Sequence, residues 1–383
     1  MTNDGTDLAP DSDTRAEAAG PRDVDGSHRI VDDPADVTPA WLTEVLRAGG
    51  TDVEVVGVRF EPVGTGQTAV SYRFHLDLAP GDAGRGPVSV VVKMAGGAPE
   101  VRRRLRVAYR NEVGFYRTFA GRARVRVPRC WSAELSDDEY RFTLVLEDAH
   151  PARAGNQVDS CTVAQAALAI RNLAGLHAPF WNDDSVTDGT DWPARLDEAG
   201  MSFLGKVATS AAAEFTERYR AGLGPRDVDT LLRAAELVAG WGKYTSDRFS
   251  LVHGDYRLDN LLFSGDTQVR AVDWQTVEVA FPGRDLAYFL STALAPAERR
   301  AHERALVAAY HQRLVEYGVP DYPVDLCFED YRRGLLQGPL ITMIGAVYAS
   351  AERTAGADRM FLSMAANACA AIRDLDALAL LSA

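Results

Sequence analysis

From Leu251 the chain reads Leu-Val-His-Gly-Asp-Tyr-Arg-Leu-Asp-Asn-Leu-Leu-Phe, and ten residues after Phe263 come Asp273, Trp274 and Gln275. Two apolar, strand-like pieces flank a polar loop, so Asp255 and Asn260 are expected to project from a rigid support rather than a solvated face. Phosphoryl transfer from a nucleotide needs this set of groups. One carboxylate orients the attacking hydroxyl and takes its proton, and further oxygen ligands hold magnesium on the phosphates. A turn whose Asp and Asn satisfy their own backbone would account for Asp255 and Asn260 alone. It does not account for Asp273, which closes the apolar run Val269 to Val272.

A kinase must also neutralise the phosphates. Of 41 basic residues only three are lysine, and one of them, Lys93, sits inside the apolar run Val90-Val-Val-Lys-Met94. A compact ammonium on a flexible stem suits a point contact to phosphate better than a guanidinium fork. Buried without a partner it would be costly, so an acid should face it, and Glu112 in the next helical segment is the natural candidate. The turn Val63-Gly-Thr-Gly-Gln-Thr68 precedes Lys93 by one strand, and its Gly64, Thr65 and Gly66 could cover phosphates with backbone N–H groups.

These residues require a support. Three runs of strand character, Val53 to Phe60, Val70 to Leu78 and Val88 to Met94, are followed by a helix over Glu100 to Phe119 and two more strands, Arg129 to Leu135 and Tyr140 to Leu146. Thr38-Pro39 reads as a helix start ahead of them. From Thr162 onward the chain is Ala/Leu-rich with helical periodicity, interrupted by a strand-like insert over Leu251 to Val277. The expectation is an α+β, two-lobed fold. Residues 1–30 form an acidic, disordered tail, 31–148 a nucleotide-binding lobe with a small antiparallel sheet and one helix, and 149–383 a helical catalytic and substrate lobe.

The net charge of −13 suggests a cationic ligand until it is located. Residues 1–36 hold ten acids against Arg15, Arg22 and Arg29, so more than half of that charge lies in this first stretch. The rest is an ordinary surface with no basic stripe, which argues against a nucleic-acid partner. No run approaches the roughly 18 to 20 apolar residues of a membrane span. The four cysteines are far apart with no Cys-x-x-Cys pair, so neither zinc nor disulfides are suggested, and a cytoplasmic location is expected.

The Gly-Thr-Gly loop, Lys93, Glu112, the run Leu144-Val-Leu-Glu-Asp148, Leu173-Ala-Gly-Leu-His-Ala178, His253-Gly-Asp-Tyr-Arg-Leu-Asp-Asn260, Val272-Asp-Trp-Gln275 and Arg284-Asp-Leu-Ala-Tyr-Phe289 occur in this order. The chain thereby resembles the aminoglycoside phosphotransferase and choline kinase superfamily of small-molecule kinases, whose fold is protein kinase-like. It looks nearest to the ecdysteroid kinase-like and acyl-CoA dehydrogenase-associated branches. The resemblance implies ATP and Mg2+ as cofactors, Asp255 as catalytic base, Asn260 and Asp273 as metal ligands, and Lys93 on the α and β phosphates with Glu112 behind it. It places the adenine edge against the backbone of Glu147 to Ala149, and makes His253 and His177 structural. Asp285, opening an apolar helical stretch, is expected to be an N-cap. Asp259 stands where many members have glycine, and no Ala-Pro-Glu segment follows Asp273, which disfavours a protein substrate. The acceptor is expected to be an alcohol on a small molecule. A cationic acceptor such as an aminoglycoside or choline, or a catalytically silent nucleotide sensor, stays open. Aromatic residues such as Trp181, Trp192, Phe203, Tyr348 and Phe361, with Met343, in the helical region are expected to be core before they are ligand contacts.

Overall fold

In the first third of the chain, alternation of apolar residues produces strands, and what those strands bury decides the rest. The computed structural model describes residues 30–382 apart from 65–68, 188–191, 246 and 349–353. The expected tail therefore lies, except for its last residue, outside the described residues.

Helix α1 (Pro39–Ala48) starts as expected, with the Thr38 side chain accepting the Trp41 N–H and proline at the first position. Strands β1 (Val55–Val63), β2 (Ala69–Leu78), β3 (Ser89–Ala95), β4 (Cys130–Leu135) and β5 (Phe142–Glu147) form an antiparallel sheet in the order β1-β2-β3-β5-β4. In β3 the two-residue period sends Val90, Val92 and Met94 to one face and Lys93 to the other. The first face packs on Leu42, Val45 and Leu46 of α1, with Phe74 and Val145. Lys93 is thereby turned toward the opposite layer.

That layer is not the single helix the sequence predicts. A short helix α2 (Pro99–Arg104) breaks at Leu105, and α3 (Arg106–Gly114) runs into a π-helical turn over Phe115–Phe119. No residue of α2 is buried, so nothing holds it in line with α3. The wider turn brings Phe115 flat onto Trp274, ring centroids 3.5 Å apart. Tyr109, Val113 and Phe115 of this layer belong to one hydrophobic core that continues into the helical lobe.

The second lobe begins with β6 (Arg153–Ala154) and the helices α4 (Val163–His177), α5 (Glu198–Arg218) and α6 (Pro225–Trp241). The strand-like insert forms two small sheets. Strand β7 (Ser250–Val252) pairs with β10 (Glu278–Ala280), while β8 (Leu261–Ser264) lies between β6 and β9 (Gln268–Ala271). Then follow α7 (Gly283–Ala293), α8 (Pro296–Glu316), α9 (Val324–Gly334), α10 (Gln337–Tyr348), α11 (Ala355–Asp374) and α12 (Ala377–Ser382). Every residue of α7 is buried, so this helix is the axle around which α8 to α11 are packed. The antiparallel sheet followed by a mostly helical remainder is the α+β arrangement expected from the sequence. Among the described residues no helix is long and apolar enough to cross a membrane.

Candidate active site

Lys93 meets two carboxylates. Its Nζ donates to Glu112 Oε1 at 2.6 Å and to Asp273 Oδ1 at 3.1 Å, joining β3, α3 and the turn after β9. Burial alone would lower the ammonium's proton affinity, but the charges of Asp273 and Glu112 more than offset it and hold Lys93 above its ordinary value. The two acids diverge. Burial is the largest influence on Glu112 and raises it. Burial also opposes ionisation of Asp273, but the Lys93 charge and hydrogen bond hold that carboxyl below its usual range. Asp273 is thus the more strongly anionic of the pair, and 39% of its side chain is exposed, whereas Glu112 is 1% exposed.

The backbone of Asp273 is left-handed, with φ +68°, a conformation that aspartate tolerates better than most residues. The turn it makes is fixed by neighbours. Val272 N donates to Asn260 O at 3.0 Å, His253 Nε2 reaches Val272 O at 3.1 Å, and Thr276 Oγ1 donates to His253 O at 2.7 Å. These bonds lace the 253–260 loop to the 272–276 loop.

Within the first loop Asn260 Nδ2 donates to Asp255 Oδ2 at 3.0 Å and to the Asp255 carbonyl at 2.9 Å. The amide nitrogen is spent on Asp255, so the amide oxygen is the atom that remains for a cation. Among the described residues no cluster of three or more His, Cys, Asp or Glu side chains could hold a metal. Magnesium on a nucleotide does not need one, because one or two protein oxygens plus phosphates and water complete its shell. The Asn260 amide oxygen and the Asp273 carboxylate fit that requirement.

Asp285 is not the N-cap that its position suggests. Pro282 occupies that place, and Asp285 is the third residue of α7, fully buried. Its Oδ2 accepts the His253 N–H at 2.6 Å and its Oδ1 the Gly254 N–H at 3.0 Å, with His177 Nε2 3.3 Å away. Helix α7 thereby holds the backbone of the 253–260 loop at two successive N–H groups. His177 also contacts the Tyr310 hydroxyl at 2.6 Å, and both histidines are structural, as expected.

At the turn between lobes Asp148 accepts from Arg73 Nε at 2.7 Å, Ser89 Oγ at 2.6 Å and His150 N at 3.1 Å, which fastens the connecting segment to β2 and β3. Glu147 Oε1 receives Arg270 Nη2 of β9 at 3.3 Å, and the Ala149 carbonyl accepts the Ala152 N–H at 2.8 Å. Gly64 follows β1 with φ +76°, while Thr65 and Gly66 lie outside the described residues.

Several participants were not read from the sequence. Gln275 Nε2 donates to Glu112 Oε2 at 3.2 Å, Asn111 Nδ2 to the Gln275 carbonyl at 2.9 Å, and Trp192 Nε1 to Asn111 Oδ1 at 2.7 Å. Tyr288 Oη donates to Asp255 Oδ1 at 2.9 Å. A tyrosine amid an otherwise apolar helical run was the one signal, since a buried phenol hydroxyl needs an acceptor. Of the aromatic residues expected in the core, Phe203 and Tyr348 are instead 69% and 49% exposed, on the outward faces of α5 and α10.

The family model for ecdysteroid kinase-like proteins matches residues 192–318, the segment carrying Asp255, Asn260, Asp273 and Asp285. No curated protein sequence matches the chain. Among solved structures, choline kinase from Cryptosporidium parvum Iowa II is similar over 91% of this chain and 96% of its own, at 10% identity and a TM-score of 0.54. Aminoglycoside 2'-phosphotransferase-IIIa, solved as a GDP complex, is similar over 86% and 98%, at 12% identity and a TM-score of 0.50. At such identities these likenesses speak to the fold. The chain thus shares the fold of these small-molecule kinases, and the segment that carries its 253–260 loop is similar to the ecdysteroid kinase-like family.

Proposed function

We propose that this chain is an ATP- and magnesium-dependent kinase that phosphorylates a hydroxyl group of a small molecule. The observation that carries the reading is the pairing of Lys93 with both Glu112 and Asp273, beside a loop on which Asn260 holds Asp255. In this reading Lys93 would contact the α and β phosphates, and Asn260 and Asp273 would hold magnesium, which would supply positive charge against the phosphates. The backbone of Glu147 to Ala149 takes the adenine edge, and the turn containing Gly64, Thr65 and Gly66 covers the phosphates.

Asp255 receives the acceptor's hydroxyl as a hydrogen-bond donor. The acceptor oxygen bonds to the γ phosphorus, the bond from that phosphorus to the bridging oxygen breaks, and ADP leaves with the electron pair. The released proton passes to Asp255. Alignment and electrostatics supply most of the rate, because phosphoryl transfer asks for little covalent chemistry from the protein. The chain is proposed to act in the cytoplasm on a small-molecule alcohol, without nucleic acid.

The test is ADP release from MgATP and MgGTP with a panel of alcohols, lipophilic, acyl-linked, aminoglycoside and choline-like, with mass detection of the phosphorylated product. Asp255→Ala should abolish turnover, and because it leaves the buried Tyr288 hydroxyl without its acceptor the melting temperature is measured alongside to show that the variant is folded. Undiminished turnover in that variant removes the proposed base, and nucleotide binding without turnover on any acceptor leaves a silent sensor.

A further inference from the structure

Asp255 is held from three directions. Its Oδ1 accepts the Tyr288 hydroxyl at 2.9 Å, and its Oδ2 accepts Asn260 Nδ2 at 3.0 Å and Arg257 Nε at 3.2 Å. An ionised carboxylate offers about four acceptor positions, two on each oxygen. Oδ2 is filled, and Oδ1 keeps one. We propose that Tyr288, with Arg257 on the other oxygen, is a positioning residue that fixes the rotation of the Asp255 carboxylate, so that Oδ1 is the atom that receives the acceptor hydroxyl. This inference rests on the reading of Asp255 as the base.

Three features support a brace over simple satisfaction of a buried phenol. Tyr288 lies one helical turn after Asp285 on α7 and is wholly buried, so the helix that holds the loop backbone also holds the side chain of the base. Phenylalanine would fill the same volume without burying a hydroxyl, and burial keeps the phenol protonated and therefore a donor. Arg257 does not swing freely either. Its Nη1 donates to Asp259 Oδ2 at 2.7 Å and lies 3.1 Å from Met360 Sδ of α11. Asp259 thus clamps the far end of the guanidinium that braces the base.

The helical lobe also steadies the loop backbone beside the base. Gln337 Nε2 of α10 donates to the Gly254 carbonyl at 2.8 Å, and Arg284 Nε donates to Gln337 Oε1 at 2.9 Å. With the backbone fixed independently, loss of the Tyr288 hydroxyl frees only the side-chain rotation of Asp255.

The experiment compares Tyr288→Phe, Arg257→Gln and Asp255→Asn with the unmodified chain. It measures ADP release from MgATP with the alcohol panel, the affinity for a fluorescent ATP analogue, and the melting temperature. A freed carboxylate misplaces the hydroxyl, so Tyr288→Phe should lower kcat by about 10- to 100-fold. The KM for ATP and the analogue affinity should stay within about twofold, the split that marks an interaction made at the transition state. Arg257→Gln should show the same split and decides the matter if Tyr288→Phe does not fold. An undiminished kcat in both variants, with Asp255→Asn inactive, overturns the positioning role and leaves the base in place. A parallel loss of kcat and ATP affinity also overturns it, because a merely structural role behaves that way. Full turnover by Asp255→Asn, or no turnover by the unmodified chain on any alcohol, removes the underlying reading and this inference with it.

Discussion

Lys93, the fifth residue of β3, and Asp273, 180 positions later, meet at 3.1 Å across the two lobes. The contact joins the sheet to the helical lobe through the group assigned to the phosphates, so the proposed nucleotide site is complete only while the lobes are together. With Glu112 on its other side, the trio sets one ammonium against two carboxyl groups.

The buried half of this trio makes a stability prediction. Glu112 is 1% exposed, and removing its cation leaves an uncompensated buried charge. Lys93→Met should destabilise the fold by about 3 kcal/mol, and the double variant Lys93→Met/Glu112→Gln should recover most of that loss. Urea melts at neutral pH measure both. A double variant as unstable as the single one would mean that the charge is not what fails.

At the exposed half the prediction is catalytic. Asp273→Ala keeps Asn260 but removes the proposed carboxylate ligand, so activity should fall by about 100-fold and the magnesium needed for half-maximal rate should rise. Titration of MgCl2 at fixed ATP reads this directly. The same magnesium midpoint in variant and unmodified chain would count against Asp273 as a ligand.

These residues were legible because they break the pattern around them. Lys93 interrupts a run of valines and Asp273 ends an apolar strand, and an ionic group in such a place must have a reason. The sheet was legible from alternation, but its order was not, because β5 rather than β4 pairs with β3. Asp285 was misread because an aspartate near a helix start is usually a cap, and nothing local reveals that its two oxygens reach a loop 31 and 32 residues back. Gln275, Asn111 and Arg257 were passed over for a related reason. Each looks like an ordinary polar residue until partners distant in the chain or in space are known. The break at Leu105 depended on what fails to pack against α2, which periodicity does not report.

Gln275 and Asn111 supply the third prediction. Gln275 holds the second oxygen of Glu112, and Asn111 links Trp192 of the helical lobe to the Gln275 carbonyl. Neither is assigned a contact with the reacting hydroxyl. Asn111→Ala and Gln275→Ala should therefore loosen Lys93 and raise the KM for ATP by about 10-fold, while kcat changes less. Steady-state kinetics in ATP give the split, and a fall in kcat at constant KM would assign these residues to the transition state instead.

Asp285 ties stability to pH. Burial pushes its carboxyl up, but the His177 hydrogen bond and charge, with the N–H of His253, hold it below the ordinary value. A carboxyl depressed in the folded state adds stability that is complete above its unfolded pKa of about 3.9 and is lost as pH falls through the folded pKa. Asp285→Asn can accept on only one atom, so one of the two loop N–H groups loses its partner. At pH 7 the variant should be less stable by about 1 to 3 kcal/mol, the cost of an unsatisfied buried donor. The gap between the two chains should narrow progressively as the pH is lowered below about 4, where the aspartate of the unfolded chain begins to take up its proton while the folded one still holds its charge. Urea unfolding at pH 7, 5 and 3.5 follows the gap, and one that stayed constant over that range would show that the charge on Asp285 does not hold the loop. Turnover adds a second readout, because a loop released from α7 carries Asp255 with it and activity should drop even at pH 7, where the variant is still folded.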